Sequence, residues 1–201
     1  MSDNKLIVFV KNPEQGKVKT RLAASIGDEE ALSVYKKLLA HTAAIAQEVN
    51  CDREVWYSRF IPENDMWRDE HFNKKTQVGD NLGSRMSKAF EKTFQSEQYN
   101  KAIIIGSDCA ELTAEIIQEA FNKLSSTDFV IGPAVDGGYY LLGMKTFRPK
   151  VFEEIEWSTG SVFESTVQKI KEMGASYAEL EKLNDVDTIE DWKKVQRKES
   201  L

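Results

Sequence analysis

Short runs of β-branched and aliphatic residues alternate along this chain with longer stretches in which apolar positions recur every three or four residues. Residues 6–10, Leu-Ile-Val-Phe-Val, form a continuous apolar run between Lys5 and Lys11, which predicts a strand buried on both faces. Residues 54–58, 102–105, 129–131, 139–144 and 176–180 read as further strands. Leu32, Tyr35, Leu39, Ala46 and Val49 fall at spacings of three, four and seven, the stripe of a helix lying against a sheet, with Asp28 placed to cap it. Residues 82–94 repeat that pattern through Met86, Ala89, Phe90 and Phe94, and residues 113–124 repeat it through Ile116, Ile117, Ala120 and Phe121, with Thr113 as the cap. Helices are also predicted over 161–173 and 188–195. Residues 11–27 are left as a polar connection. Strands alternating with helices imply a three-layer α/β/α fold around a doubly wound, mostly parallel sheet with right-handed crossovers.

Composition narrows the class. With 201 residues and 41% hydrophobic content, a single domain over 1–201 is expected, burying roughly 70% of its unfolded surface. The net charge of −6 and the lack of a long basic run argue against a nucleic-acid binder or an anionic-membrane surface. Cys51 and Cys109 lack metal-site spacing and read as reduced thiols, so zinc is not expected. The first apolar run is too short for a signal sequence or a membrane span, and a cytoplasmic location is the expectation.

Two acidic turns stand directly after predicted strands. Gly106-Ser107-Asp108-Cys109 follows residues 102–105, and Gly132-Pro133-Ala134-Val135-Asp136-Gly137-Gly138-Tyr139-Tyr140 follows residues 129–131. Ligands collect at the carboxyl ends of strands in open α/β sheets, and an Asp there is a hard-oxygen ligand suited to Mg²⁺ or Mn²⁺ bridged to substrate phosphates. The connection after the first strand carries Lys11, Lys17, Lys19 and Arg21 around Gly16. Glycine lets backbone approach an anion, and Arg can clamp a phosphate bidentately. The glycine spacing is not that of a Walker loop, and a solvated basic loop is the competing reading.

Together with Gln77-Val78-Gly79-Asp80-Asn81-Leu82-Gly83-Ser84-Arg85-Met86 and Leu183-Asn184-Asp185-Val186-Asp187-Thr188, these segments resemble, in this order, a bacterial family of GT-A-like nucleotide-diphospho-sugar transferases, some associated with arsenosugar biosynthesis. The resemblance runs from Lys11 to Asp191. Its most specific part is Asp136-Gly137-Gly138-Tyr139-Tyr140-Leu141-Leu142-Gly143, and Lys19-Thr20-Arg21-Leu22 is shared with phospholactate guanylyltransferases.

The resemblance implies a nucleotide-phosphate loop at Lys11, Gly16, Lys19 and Arg21, and a base-reading turn at Gln77 and Leu82-Gly83. It places the metal-binding acid at Asp108. Ser107 replaces the first acid of the family's Asp-x-Asp motif, so a second ligand must come from elsewhere, with Asp187 or Asp185 as the candidate. Ser107, Gly137, Gly138 and Tyr139 complete the substrate-facing set. Ala110 stands where relatives have Pro, a change expected to alter turn stiffness alone.

Plainer roles compete at several positions. Asp185 or Asp187 has the placement of a helix cap before Thr188, and Asp136 that of a turn residue. Cys109 reads as a buried structural thiol, because no His lies near it. Trp157-Ser158-Thr159 reads equally as an acceptor-side segment or as a turn leading into a helix.

The leading functional expectation is metal-dependent glycosyl transfer from a nucleotide sugar to a small-molecule acceptor. Lys19 and Arg21 would neutralise the departing diphosphate, and Asp136 would position the acceptor or take its proton. Nucleotidyl transfer from a nucleoside triphosphate is the alternative, and a catalytically idle nucleotide-binding protein is the third. Base, sugar, acceptor, stereochemical outcome and oligomeric state are not legible.

Overall fold

The computed structural model describes residues 2–199. Strands β1 (Asn4–Val10), β2 (Asp52–Tyr57), β3 (Asn73–Thr76), β4 (Lys101–Ile105), β5 (Phe129–Pro133), β6 (Tyr139–Met144) and β7 (Tyr177–Glu179) form a seven-stranded sheet in the order β3-β2-β1-β4-β6-β5-β7. Helices are α1 (Thr20–Ile26), α2 (Asp28–Glu48), α3 (Leu82–Phe94), α4 (Ala114–Lys123), α5 (Val162–Glu172) and α6 (Ile189–Glu199), with a short 3₁₀ turn at Pro149–Phe152.

Alternation along β1 sets the layers. Leu6, Val8 and Val10 pack with Tyr35, Leu39 and Ala46 of α2 and with Ile117 and Phe121 of α4. Ile7 and Phe9 turn the other way, toward Met86 and Phe90 of α3 and Val167 and Ile170 of α5. Both faces of the sheet are therefore covered by helices, as the uninterrupted apolar run predicts. A third cluster joins Leu22 of α1, Val34 and Leu38 of α2, Val186 in the turn before α6 and Trp192 of α6.

Neighbouring strands are parallel except where β6 runs antiparallel to both β4 and β5. The connection between β5 and β6 is too short for a crossover helix, so the chain must reverse in place. Ala134 N donates to Gly138 O at 3.0 Å and Gly137 N to Ala134 O at 3.2 Å, which closes the turn bearing Asp136.

Four details depart from the sequence reading. Residues 20–26, read as connection, form α1, whose buried Leu22 ties the loop to α2 and α6. β3 is added at the sheet edge by the polar residues Asn73-Lys74-Lys75-Thr76, which pair with Glu54–Tyr57 and carry no apolar alternation. β2 starts and ends earlier than expected, at Asp52 and Tyr57. Gly27, at φ 86°, takes the N-terminal cap position of α2 without a side-chain cap, while Asp28 joins Glu29 and Glu30 in the first turn, where their charges are stabilised by the positive end of the helix dipole.

Candidate active site

The carboxyl ends of β1 to β4, the turn after β5, the segment leading into α5 and the turn between β7 and α6 border one open cleft of about 880 Å³. Of the sequence-predicted residues, Lys11, Arg21, Gln77, Leu82, Ser107, Asp108, Asp136, Gly138, Tyr139 and Asp187 line it. Lys19 stands behind this wall, and Gly16, Gly83 and Gly137 lie off it.

The off-wall glycines have packing reasons. A Cβ on Gly83 would fall 2.2 Å from the Trp157 ring, so the glycine at the start of α3 seats that indole at the cleft's edge. Gly137, at φ 90°, would drive a Cβ to 2.0 Å from Gly160 O, so it joins the Asp136 turn to the segment leading into α5. Gly16 instead neighbours Asp28.

Lys19 is the organising cation. Its Nζ lies 2.8 Å from Asp108 Oδ1 and 3.1 Å from Asp187 Oδ1, with its side chain 4% exposed against 35% and 38% for the two acids. Burial pulls the ammonium down, but Asp108 and Asp187 outweigh it and hold the group above its ordinary value. The residue sits at φ 49°, ψ 43°, a left-handed backbone that costs a non-glycine residue about 1–2 kcal/mol. Arg21, by contrast, is 77% exposed and only grazes Asp187 at 3.6 Å.

The last turn assigns its acids separately. Thr188 Oγ1 accepts from Asp191 N at 3.3 Å, and Asp191 Oδ2 accepts from Thr188 N at 2.9 Å. This reciprocal cap serves α6 and leaves Asp187 to Lys19. Asp185 lines the cleft, where burial and the field of Asp108 push it up to about 7 against the pull of Lys19, with Asp136 and Asp187 adding to the rise.

Elsewhere the cleft is braced from the backbone. Gln77 Nε2 donates to Trp56 O at 2.8 Å and Val10 O at 3.3 Å, so its amide nitrogen is committed to the strand ends. Asp136 Oδ1 accepts from Gly138 N at 2.9 Å, a turn bond made by one of its two carboxylate oxygens. Tyr140 is buried with its hydroxyl donating to Glu181 O, while Tyr139 is half-buried at the cleft. Cys109 reaches the cleft, yet burial, aided by Asp185, pushes its thiol up to about 12, which suits a structural thiol. His41 bonds Leu112 O, away from the cleft.

Sequence reasoning missed Asn12 and Tyr35. Asn12 Nδ2 donates to Phe60 O at 2.8 Å, and its Oδ1 accepts from Arg59 N at 3.0 Å, which pins the turn after β2 beside the cleft. Tyr35 Oη accepts from Lys11 N at 2.9 Å, donates to Lys11 O at 3.2 Å and lies 3.3 Å from Ser107 Oγ. The signal available for Asn12 was its place at the end of a buried strand; Tyr35 read only as part of the α2 stripe.

A divalent cation fits this arrangement. Among the described residues no group of three or more His, Cys, Asp or Glu side chains gathers to hold a metal ion. Mg²⁺, however, is ordinarily held by one or two carboxylates with substrate phosphates rather than by an all-protein cage. Asp108 and Asp187 provide such a pair, and the Lys19 ammonium between them marks a position where positive charge is stabilised.

Residues 41–159, more than half of the chain, match the family described as an uncharacterized protein conserved in bacteria, DUF2064. The chain belongs to the DUF2064 family. This DUF2064 chain is similar to a crystal structure described as a candidate nucleotide-diphospho-sugar transferase from Desulfovibrio desulfuricans G20, at 33% identity and a TM-score of 0.91, covering 98% of this chain and 88% of that one. The fold, a GT-A-like nucleotide-diphospho-sugar transferase architecture, is shared more widely. CMP:2-keto-3-deoxy-manno-octonic acid synthetase complexed with CTP aligns at 11% identity and a TM-score of 0.60, covering 99% of both chains. A manganese complex of Rv0371C from Mycobacterium tuberculosis H37Rv aligns at 14% and 0.53, covering 96% of this chain and 97% of that one. No curated protein matches the chain. Among the described residues no helix is long and apolar enough to cross a membrane.

Proposed function

We propose that this protein is a metal-dependent transferase that uses a nucleotide-activated donor, with glycosyl transfer from a nucleotide-diphospho-sugar to a small-molecule acceptor as the reaction. The observation that carries this reading is the pairing of Asp108 with Asp187 across Lys19, at the strand ends of a cleft that also presents Lys11, Lys17 and Arg21. Carboxylates for a Mg²⁺ or Mn²⁺ ion and cations for phosphate oxygens meet there, which is the complement of a metal diphosphate. The transferase named for the Desulfovibrio relative supports the same class.

In this reading Lys11 and Arg21 bind the diphosphate, and Arg21 has the exposure and reach to follow charge as it develops on the leaving group. Leu82 and Gln77 flank the base, with Gln77 Oε1 the polar atom left to meet it. A metal held by Asp108 and Asp187 would supply Lewis-acid stabilisation of the departing phosphate. Asp136 Oδ2 receives the acceptor hydroxyl's proton or holds that hydroxyl in line, while Oδ1 keeps the turn closed. Tyr139 and Trp157 form the aromatic wall beside it. Ser107 serves by holding Tyr35 and, through it, the Lys11 backbone.

Nucleotidyl transfer is the second reading, favoured by the further cation Arg85 on the cleft, which extends the anion-binding capacity beyond a diphosphate, whereas Arg59 is already paired with Glu14 at 2.7 Å. A thermal-shift screen separates the two. Nucleoside diphosphates, triphosphates and nucleotide sugars are each tested with and without Mn²⁺. A ligand at 100 times its dissociation constant stabilises by about 2.7 kcal/mol. Mn²⁺-dependent stabilisation by a nucleotide sugar is expected. Preference for a triphosphate would select nucleotidyl transfer, and no response to any nucleotide would overturn both.

A further inference from the structure

We infer that Lys19 is a resident counter-ion that occupies the carboxylate pair in place of the metal and makes divalent-cation binding conditional on nucleotide. The inference rests on the metal-using reading above but concerns a separate property, the order in which charge enters the site.

The geometry points to it in three ways. First, Lys19 does not share the cleft wall with Lys11, Lys17 and Arg21; it reaches the two acids from behind, nearly enclosed, while both acids stay open to the cleft. Second, its backbone is in the left-handed region, between Val18 and Leu22, which are themselves buried. Backbone strain persists where the surroundings over-determine it, and here two ion pairs and two apolar anchors hold the loop. Third, a single buried ammonium serves two carboxylates at 2.8 and 3.1 Å, while the other cation near them, Arg21, reaches only Asp187 and at 3.6 Å.

A dication bridging Asp108 and Asp187 would compete for the Oδ1 atoms that now accept from Lys19. Two cations on shared oxygens in a partly desolvated site repel strongly, so metal alone meets an opponent that is already seated. Nucleotide phosphates change the balance, because they bring further oxygen ligands and negative charge to the metal from the cleft side. The expected behaviour is weak binding of free metal and strong binding of metal together with nucleotide. If Lys19 instead only preorganises the two acids, its removal must weaken metal binding. The two accounts therefore differ in sign.

The test is a titration of Mn²⁺ alone, followed by electron paramagnetic resonance, into the wild type and Lys19→Met. The variant is expected to bind at least about tenfold more tightly than the wild type, and Asp108→Asn added to it should abolish the gain. In a parallel thermal-shift measurement with an equimolar mixture of ADP, CDP, GDP and UDP, the wild type should respond to Mn²⁺ far more strongly with nucleotide than without, and Lys19→Met should lose that contrast. Because removing the lysine leaves acids facing one another, Lys19→Met with Asp185→Asn is judged by the same tenfold criterion if the single variant does not melt cooperatively. Equal or weaker Mn²⁺ binding in the folded variant, with metal-stimulated nucleotide binding intact in the wild type, overturns the inference and leaves the proposed function standing. Absence of Mn²⁺ binding to both proteins, with or without nucleotide, overturns both.

Discussion

The clusters around Glu54 and around Lys19 both bury a lysine against carboxylate, and they are built on opposite terms. In the first, Glu54 on β2 is surrounded by cations: its Oε1 meets Lys5 at 3.0 Å and Lys75 at 2.6 Å, and its Oε2 accepts from Trp56 Nε1 at 2.8 Å. In the second, Lys19 is held between two acids, Asp108 and Asp187, with Arg21 reaching Asp187 from the exposed side. The Glu54 side chain is 7% exposed and both its oxygens are occupied, whereas Asp108 and Asp187 are each more than a third exposed and open onto the cleft. A closed cluster whose acid is fully bonded contributes to holding the sheet. An open one whose acids stay exposed to the cleft has capacity left for a ligand. Burial of a lysine alone therefore does not separate structure from function; the access of its carboxylate partners to solvent does.

The largest expected effect falls on the closed cluster. Glu54→Ala strands Lys5, itself buried, without its acid and should lower unfolding stability by about 3–5 kcal/mol in denaturant titrations, while leaving nucleotide affinity of the folded protein unchanged. A loss of binding without a loss of stability would reverse the roles assigned to the two clusters. Asp108→Asn should do the opposite. Stability should change by no more than about 1 kcal/mol, because the acid is partly solvated and Lys19 keeps Asp187. Calorimetry should show metal-dependent nucleotide affinity falling by at least about 100-fold, and undiminished affinity would remove Asp108 from the metal site.

Arg21 tests the outer edge of the open cluster. Its long contact with Asp187 contributes little in the free protein, yet a charge-assisted bond to a phosphate is worth about 1.5–3 kcal/mol. Arg21→Ala should lose that much nucleotide affinity; an unchanged affinity at low and high salt alike would make it solvated surface.

The smallest effect is a pH dependence of the closed cluster. Burial pushes Glu54 up, but the Lys75 hydrogen bond and the charge of Lys5 pull harder and hold it below its ordinary 4.5. A depressed carboxyl contributes stability that is present above its unfolded value and is lost as the pH falls through the lower folded value. The melting-temperature gap between wild type and Glu54→Gln should therefore be widest near about pH 6 and narrow toward about pH 3. A gap that stays constant over that range would mean the lysines do not hold Glu54 ionised.

Local periodicity was enough to place most elements. The apolar run of β1, the amphipathic stripes of α2 to α4 and the short acidic turn between β5 and β6 are properties of neighbours in the chain, and each reappears in the fold. β3 and α1 escaped that reading for the same physical reason: each is short, and what orders it is a neighbour distant in sequence, β2 for the polar edge strand and the α2–α6 cluster for Leu22.

The site divides along the same line. Acids after strands marked where the cleft would be, because strand ends are where the sheet leaves backbone and side chains exposed to a ligand. Lys11, Lys17, Lys19 and Arg21, however, are one basic loop in sequence, and nothing local distinguishes the buried Lys19 from the exposed Arg21. Asp187, 168 residues from Lys19, likewise had two possible employments until Thr188 and Asp191 were seen to cap α6 themselves. Chain pattern determined the strands, the helices and the acidic turns. Only the strand order and the packing of α1 against α2 and α6 decided which lysine would be drawn out of water and which carboxylates would meet it, since electrostatic pairing depends on distance in space.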